Sequence, residues 1–105
     1  MNMTDAELAK AVADACGIEV FRHGEHWFCY DDYPMPFMPL ESWDSAMHAA
    51  EKCGLFAKHR AAYSLPADGA HRVSFYNNGY RTAVYGASGP RAICEAILAV
   101  NGVAK

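Results

Sequence analysis

The stretch Arg72–Tyr85, RVSFYNNGYRTAVY, decides how this chain is read. Two runs rich in β-branched and aromatic residues, Arg72 to Tyr76 and Tyr80 to Tyr85, flank Asn77-Asn78-Gly79, and an Asn-Gly pair between alternating runs is the strongest short hairpin signal. A hairpin joins antiparallel strands, so the sheet around it is expected to grow antiparallel. Upstream, Leu55 to Leu65 reads as another strand, joined through the turn Pro66-Ala67-Asp68-Gly69. Downstream, Ser88-Gly89-Pro90 opens a helix in which Ile93, Ala96, Ile97 and Val100 recur on one buried face, and Asn101-Gly102 ends it.

The first half repeats this logic. Thr4-Asp5-Ala6-Glu7 is a capping box, and Leu8, Ala11, Val12 and Ala15 follow at helical spacing until Gly17. Ile18 to Phe21 and Trp27 to Tyr30 flank His23-Gly24-Glu25 as a second hairpin. Pro34, Pro36 and Pro39 make Asp31 to Glu41 a loop, since proline fits neither a helix interior nor a central strand. Ser42 caps a second helix with Asp44 in its first turn, Trp43, Ala46, Met47 and Ala50 as its apolar stripe, and Gly54 as its stop. The order is αββαβββα. This predicts one α+β domain over 1–105, a mostly antiparallel five-stranded sheet with helices as covering layers, a helix-sheet-helix sandwich. Ala13 to Ile18 echoes Ala50 to Leu55, which reads as two independent glycine C-caps, the favoured account, or as a duplicated α-β unit.

Composition sets the outer limits. The 105 residues are 52% hydrophobic and hold 9 Lys plus Arg against 12 Asp plus Glu, enough apolar content for one core and no run long enough for a membrane helix. The formal charge of -3 argues against a generic nucleic-acid binder, so no direct nucleic-acid binding is expected. The start shows neither a basic n-region nor an apolar h-region, so a cytosolic protein is expected. Cys16, Cys29, Cys53 and Cys94 stand singly without a Cys-x-x-Cys pair and read as reduced, small, largely buried side chains.

No catalytic or cofactor constellation emerges. His23, His26 and Cys29 have ligand-like spacing, but alternation along a strand sends His26 and Cys29 to opposite faces, so no metal is assigned. Gly86-Ala87-Ser88-Gly89-Pro90 brushes the nucleophile elbow but carries Pro at its fifth position, and Ser88 is better placed as a helix cap. The same helix start, with Arg91 in its first turn, has the amides to hold an anion but lacks a Walker lysine pattern.

The placement of charge is more informative. Residues 1–51 hold ten acidic and two basic residues, a net of -8, whereas 52–105 hold seven basic and two acidic, a net of +5. The acidic half also contains the loop with Tyr33, Met35, Phe37 and Met38, residue types that interface centres enrich. Asp31, Asp32, Tyr33, Met35, Phe37, Met38 and Glu41 are therefore the expected partner-binding set, facing a host protein or nucleoprotein complex with a basic surface.

Four blocks carry a family resemblance: Thr4-Asp5-Ala6-Glu7-Leu8, Ser42-Trp43-Asp44-Ser45-Ala46, Val73-Ser74-Phe75, and above all Gly89-Pro90-Arg91-Ala92-Ile93-Cys94-Glu95-Ala96-Ile97-Leu98. In these the chain resembles the phage ABA sandwich domain, a family of small phage and prophage proteins. The resemblance implies a sheet between helical layers and a phage or prophage origin; it brings no established activity and no catalytic residues. The stretch Pro34 to Pro39 departs from the family's usual form. Together these readings lead to a non-enzymatic binding protein acting in the host cytosol as monomer or homodimer, most concretely a counter-defence inhibitor of the anti-CRISPR kind. The alternatives are a self-associating accessory phage protein and a small ligand-binding protein or hydrolase.

Overall fold

A computed structural model describes residues 4–24, 26–30, 34–65 and 69–102. Its elements run α1 (Asp5–Cys16), β1 (Val20–His23), β2 (His26–Tyr30), β3 (Pro34–Pro36), α2 (Trp43–Cys53), β4 (Ala62–Ser64), β5 (His71–Asn77), β6 (Tyr80–Gly86) and α3 (Gly89–Val100). The α+β class and the antiparallel pairing are as expected. The single five-stranded sheet is not: the strands form two separate three-stranded sheets, ordered β1-β2-β3 and β4-β5-β6.

Two local features explain the difference. Leu55 to Leu65 supplies only three strand residues, because Leu55 to His59 close turns on α2's end, with Lys58 donating its amide to the Gly54 carbonyl (2.7 Å) and His59 to the same oxygen (3.2 Å). The proline-rich segment, expected as loop throughout, gives the short β3, which pairs with β2 through Phe28↔Pro36, Cys29↔Met35 and Tyr30↔Pro34. Proline tolerates that position because β3 is an edge strand, where a missing N–H costs no ladder bond.

The anchor hairpin forms as read. Asn77 pairs with Tyr80 across a two-residue turn in which Asn78 (φ 55°) and Gly79 (φ 82°) are both left-handed, the backbone that matches the twist of the flanking strands. The turn residues Pro66 to Asp68, and Glu25 of the first hairpin, lie outside the described residues.

Helix ends obey the capping logic. The Thr4 amide donates to Glu7 Oε1 (3.1 Å) and the Glu7 amide donates to Thr4 Oγ1 (3.2 Å); this hydrogen bonding holds the Glu7 carboxyl below its ordinary value. Ser88 Oγ accepts from the Arg91 amide (3.3 Å).

Alanine-rich faces let the helices approach closely. Ala9, Val12 and Ala13 of α1, Ala46, Ala49 and Ala50 of α2, and Ala92, Ile93, Cys94, Ala96, Ile97 and Leu98 of α3 are all buried. Helix α3 is buried nearly all round, as an apolar helix at the centre of a domain must be. It packs on α1, α2, β5 and β6, while α1 also carries β2. Each sheet thus rests on helices with one face, and the helices lie against one another rather than as outer covers on a single sheet. The stripe expected on α2 holds for Ala46 and Ala50, but Trp43 and Met47 stand 46% and 42% exposed. Among the described residues no helix is long and apolar enough to cross a membrane.

Candidate functional site

The expected binding segment is divided by the fold. Asp31, Asp32 and Tyr33 lie outside the described residues, and Met35 sits in β3 opposite Cys29. Phe37 is a correction: it is 2% exposed and belongs to the core, not to a surface patch. Its amide donates to the Trp27 carbonyl (2.8 Å), continuing the β2–β3 ladder by one step, so its side chain falls on the inward side. The segment after it is pinned. The Met38 amide donates to Ser45 Oγ (3.1 Å), the Cys94 thiol donates to the Pro39 carbonyl (3.2 Å), and Pro39 and Leu40 are buried.

What remains at the surface is narrower. Met38 is partly exposed between two shallow depressions, one flanked by Asp5, His26 and Glu41, the other by Asp44 and His48. Glu41 and Asp44 are exposed, whereas Asp5 is engaged by the Arg91 guanidinium at 2.7 Å. That ion pair joins the acidic half of the sequence to the basic half, whereas Lys10–Asp14 lies within the acidic half.

A second surface was not singled out from sequence. In the β4–β6 sheet, Val73 and Phe75 point into the core, which leaves Arg72, Ser74 and Tyr76 on the open face. The register sets Tyr76 opposite Arg81, Ser74 opposite Ala83 and Arg72 opposite Tyr85, with Ala62 and Ser64 of β4 beside Ser74 and Arg72. Tyr76 is 45% and Tyr85 58% exposed. The signal was present: a two-residue Asn-Gly turn fixes which residues face each other, and following it along both strands brings these four side chains together.

The weaker constellations resolve into structure. His23 pairs with His26 across the first hairpin, and the His23 ring meets Phe28 edge-on (5.9 Å between centroids), on the face opposite the buried Cys29. Ser88 is occupied as a cap, and the Trp43 ring lies against Gly89 where an anion would approach the α3 start.

The cysteines are less uniform than expected. Cys29 and Cys94 are buried, and burial pushes the Cys94 thiol up to about 12. Cys16 and Cys53, one residue before the caps of α1 and α2, are half-buried and influence each other's ionisation, and the Cys53 thiol donates to the Ala50 carbonyl (3.6 Å). The neighbouring Cys16 side chain favours the Cys53 thiolate, lowering its value to about 7, while Cys53 and burial push Cys16 well above its ordinary value. Cys53 should then be the fastest of the four to alkylate, its rate climbing as pH rises through about 7 and levelling above it. Iodoacetamide labelling followed by peptide mass spectrometry checks this, and Cys16→Ala should slow the labelling of Cys53 near neutral pH.

No protein-family model matches the chain, and no curated protein matches it in sequence. Among solved structures, the fold is similar to the 2.0 Å crystal structure of a phage protein from Bacillus cereus ATCC 14579, with a TM-score of 0.72 and 19% identity over 98% of this chain and 92% of that one. At that identity the likeness concerns the fold.

Proposed function

We propose that this chain is a non-enzymatic binding module of phage or prophage origin that docks on a basic surface of a host nucleoprotein complex, as a counter-defence inhibitor of the anti-CRISPR kind in the host cytosol. The observation that carries the reading is the charge asymmetry: Glu41 and Asp44, in the acidic half, flank the partly exposed Met38. Exposed carboxylates around a partly exposed methionine steer toward Lys- and Arg-rich surfaces and add contact once there. The phage origin draws on the Bacillus cereus phage protein of similar fold and on the family resemblance of the α3 sequence. A non-enzymatic role fits the engagement of Ser88 as a helix cap and the separation of His26 from Cys29.

The test is binding to purified RNA-guided nuclease complexes by interferometry. Wild-type protein is expected to bind one of them, and the quadruple reversal Asp31→Lys, Asp32→Lys, Glu41→Lys, Asp44→Lys to weaken that binding at least about tenfold. Wild-type binding that survives the reversal removes the acidic-docking reading. A second reading, self-association, is favoured by β6, whose seven residues form an open sheet edge. Light scattering at high micromolar concentration separates the two, since a strict monomer excludes assembly through that edge.

A further inference from the structure

We propose that the open face of the β4–β6 sheet binds single-stranded nucleic acid, at a surface distinct from the acidic docking region. Side chains directly opposite each other across antiparallel strands act as pairs, and two exposed tyrosines of this face are paired with arginines: Tyr76 with Arg81, Tyr85 with Arg72. The two rows lie four residues apart along β5, about 13 Å. Between them the floor is small, with Ala62, Ser74 and Ala83 in one row. Two exposed rings, each across the strand pairing from an arginine and separated by a shallow floor, form a platform on which unpaired bases stack while their phosphates meet cations.

The flanks add positive charge. The Tyr76 amide donates to the His59 carbonyl (2.8 Å) and the Tyr76 carbonyl lies 3.0 Å from His59 Nδ1, which ties Lys58-His59-Arg60 to the Tyr76 end of the face. At the other end, Arg72 Nε donates to Ser64 Oγ (3.1 Å), which holds that guanidinium on the β4 side of the face, across β5 from Tyr85. The described segments 55–65 and 69–86 contain Lys58, Arg60, Arg72 and Arg81 and no carboxylate. The net charge of -3 does not oppose this, because the carboxylates belong mainly to the first 51 residues and screening at about 0.1 M salt acts over about 10 Å, against a molecule 37 Å long.

The chemistry favours a single strand over other polyanions. Duplex bases are stacked within their helix and cannot reach Tyr76 or Tyr85, and a three-stranded face is too flat to enter a groove. An acidic peptide would satisfy the arginines but leave both rings without a planar partner.

The experiment is fluorescence anisotropy with labelled dT12 and rU12 at 50 mM salt. Binding is expected to at least one of them, to weaken about tenfold in each of Tyr76→Ala and Tyr85→Ala, and to lose about one unit of salt slope in Arg81→Gln. Tyr80→Ala, at the hairpin tip and paired with Asn77, should leave affinity unchanged. Circular dichroism melts verify that the variants remain folded. The proposal is overturned by absence of binding to both oligonucleotides, by a duplex or polyglutamate binding equally well, by a Tyr80→Ala loss equal to that of Tyr76→Ala, or by unchanged affinity in the folded Tyr76→Ala, Tyr85→Ala double variant.

Discussion

Gly86→Ala is expected to destabilise the fold by about 3 kcal/mol and to lower the melting temperature by more than about 10 °C. Gly86 ends β6 where α3 begins to cross the sheet, and a Cβ there would lie 2.5 Å from the Ala92 amide nitrogen and 2.9 Å from Ala92 Cα. Both atoms are backbone in the first turn of the most buried helix. Relief requires lifting α3 from the strands it covers, because no rotamer change moves a main chain. Gly89 supplies the control. A Cβ at Gly89 would come still closer to its neighbour, 2.1 Å from the Trp43 ring, but that ring is 46% exposed and can swing outward, losing its edge-on contact with Tyr63. Gly89→Ala should therefore cost less than Gly86→Ala and change tryptophan fluorescence more. Equal or inverted melting shifts would contradict the close strand–helix approach.

Phe37→Ala is the second large effect, about 3–5 kcal/mol of lost stability. The ring is fully enclosed, next to Leu40 and the small faces of α1 and α2 in a common cluster, and the residues around it are fastened by the Trp27, Ser45 and Cys94 hydrogen bonds. A cavity left there cannot collapse freely. Urea unfolding should show a reduced midpoint with little change in slope. Had Phe37 been an interface side chain, alanine would have weakened partner binding and left the midpoint within about 0.5 kcal/mol of wild type. The same variant thus decides between core and contact at this position.

Most of the local structure was legible in the residues. Thr4 with Glu7, Gly17, Ser42, Gly54, Ser88 and Asn78-Gly79 carry stereochemical instructions that act within a few positions, and each is met where it was read. What could not be read was long-range. Nothing near Phe37 says that its ring turns inward, because that follows from β3 pairing with β2 and from α3 arriving from fifty residues away. The split into two sheets has the same origin, since the turn after α2 competes with strand for Leu55 to His59 through hydrogen bonds to Gly54. The tyrosine–arginine rows were accessible in principle. They emerge only when the parity of both strands is combined, whereas charge counted along the chain averages them away.

The central position of α3 has a consequence for how the molecule is made. Its contacts reach α1 and α2 as well as the hairpin beside it, and the pairs Arg91–Asp5 and Cys94–Pro39 close loops across 86 and 55 residues. A nascent chain that has not yet extruded residues 89–100 can set α1 against α2 and β2 but lacks the helix that ties them to the β4–β6 sheet. Large loop closures are entropically expensive and come late. The parts of the α1 and α2 alanine faces that α3 covers stay open until it arrives, so the interval of greatest vulnerability to aggregation is set by synthesis of residues 89–100 rather than by the stability of the finished fold.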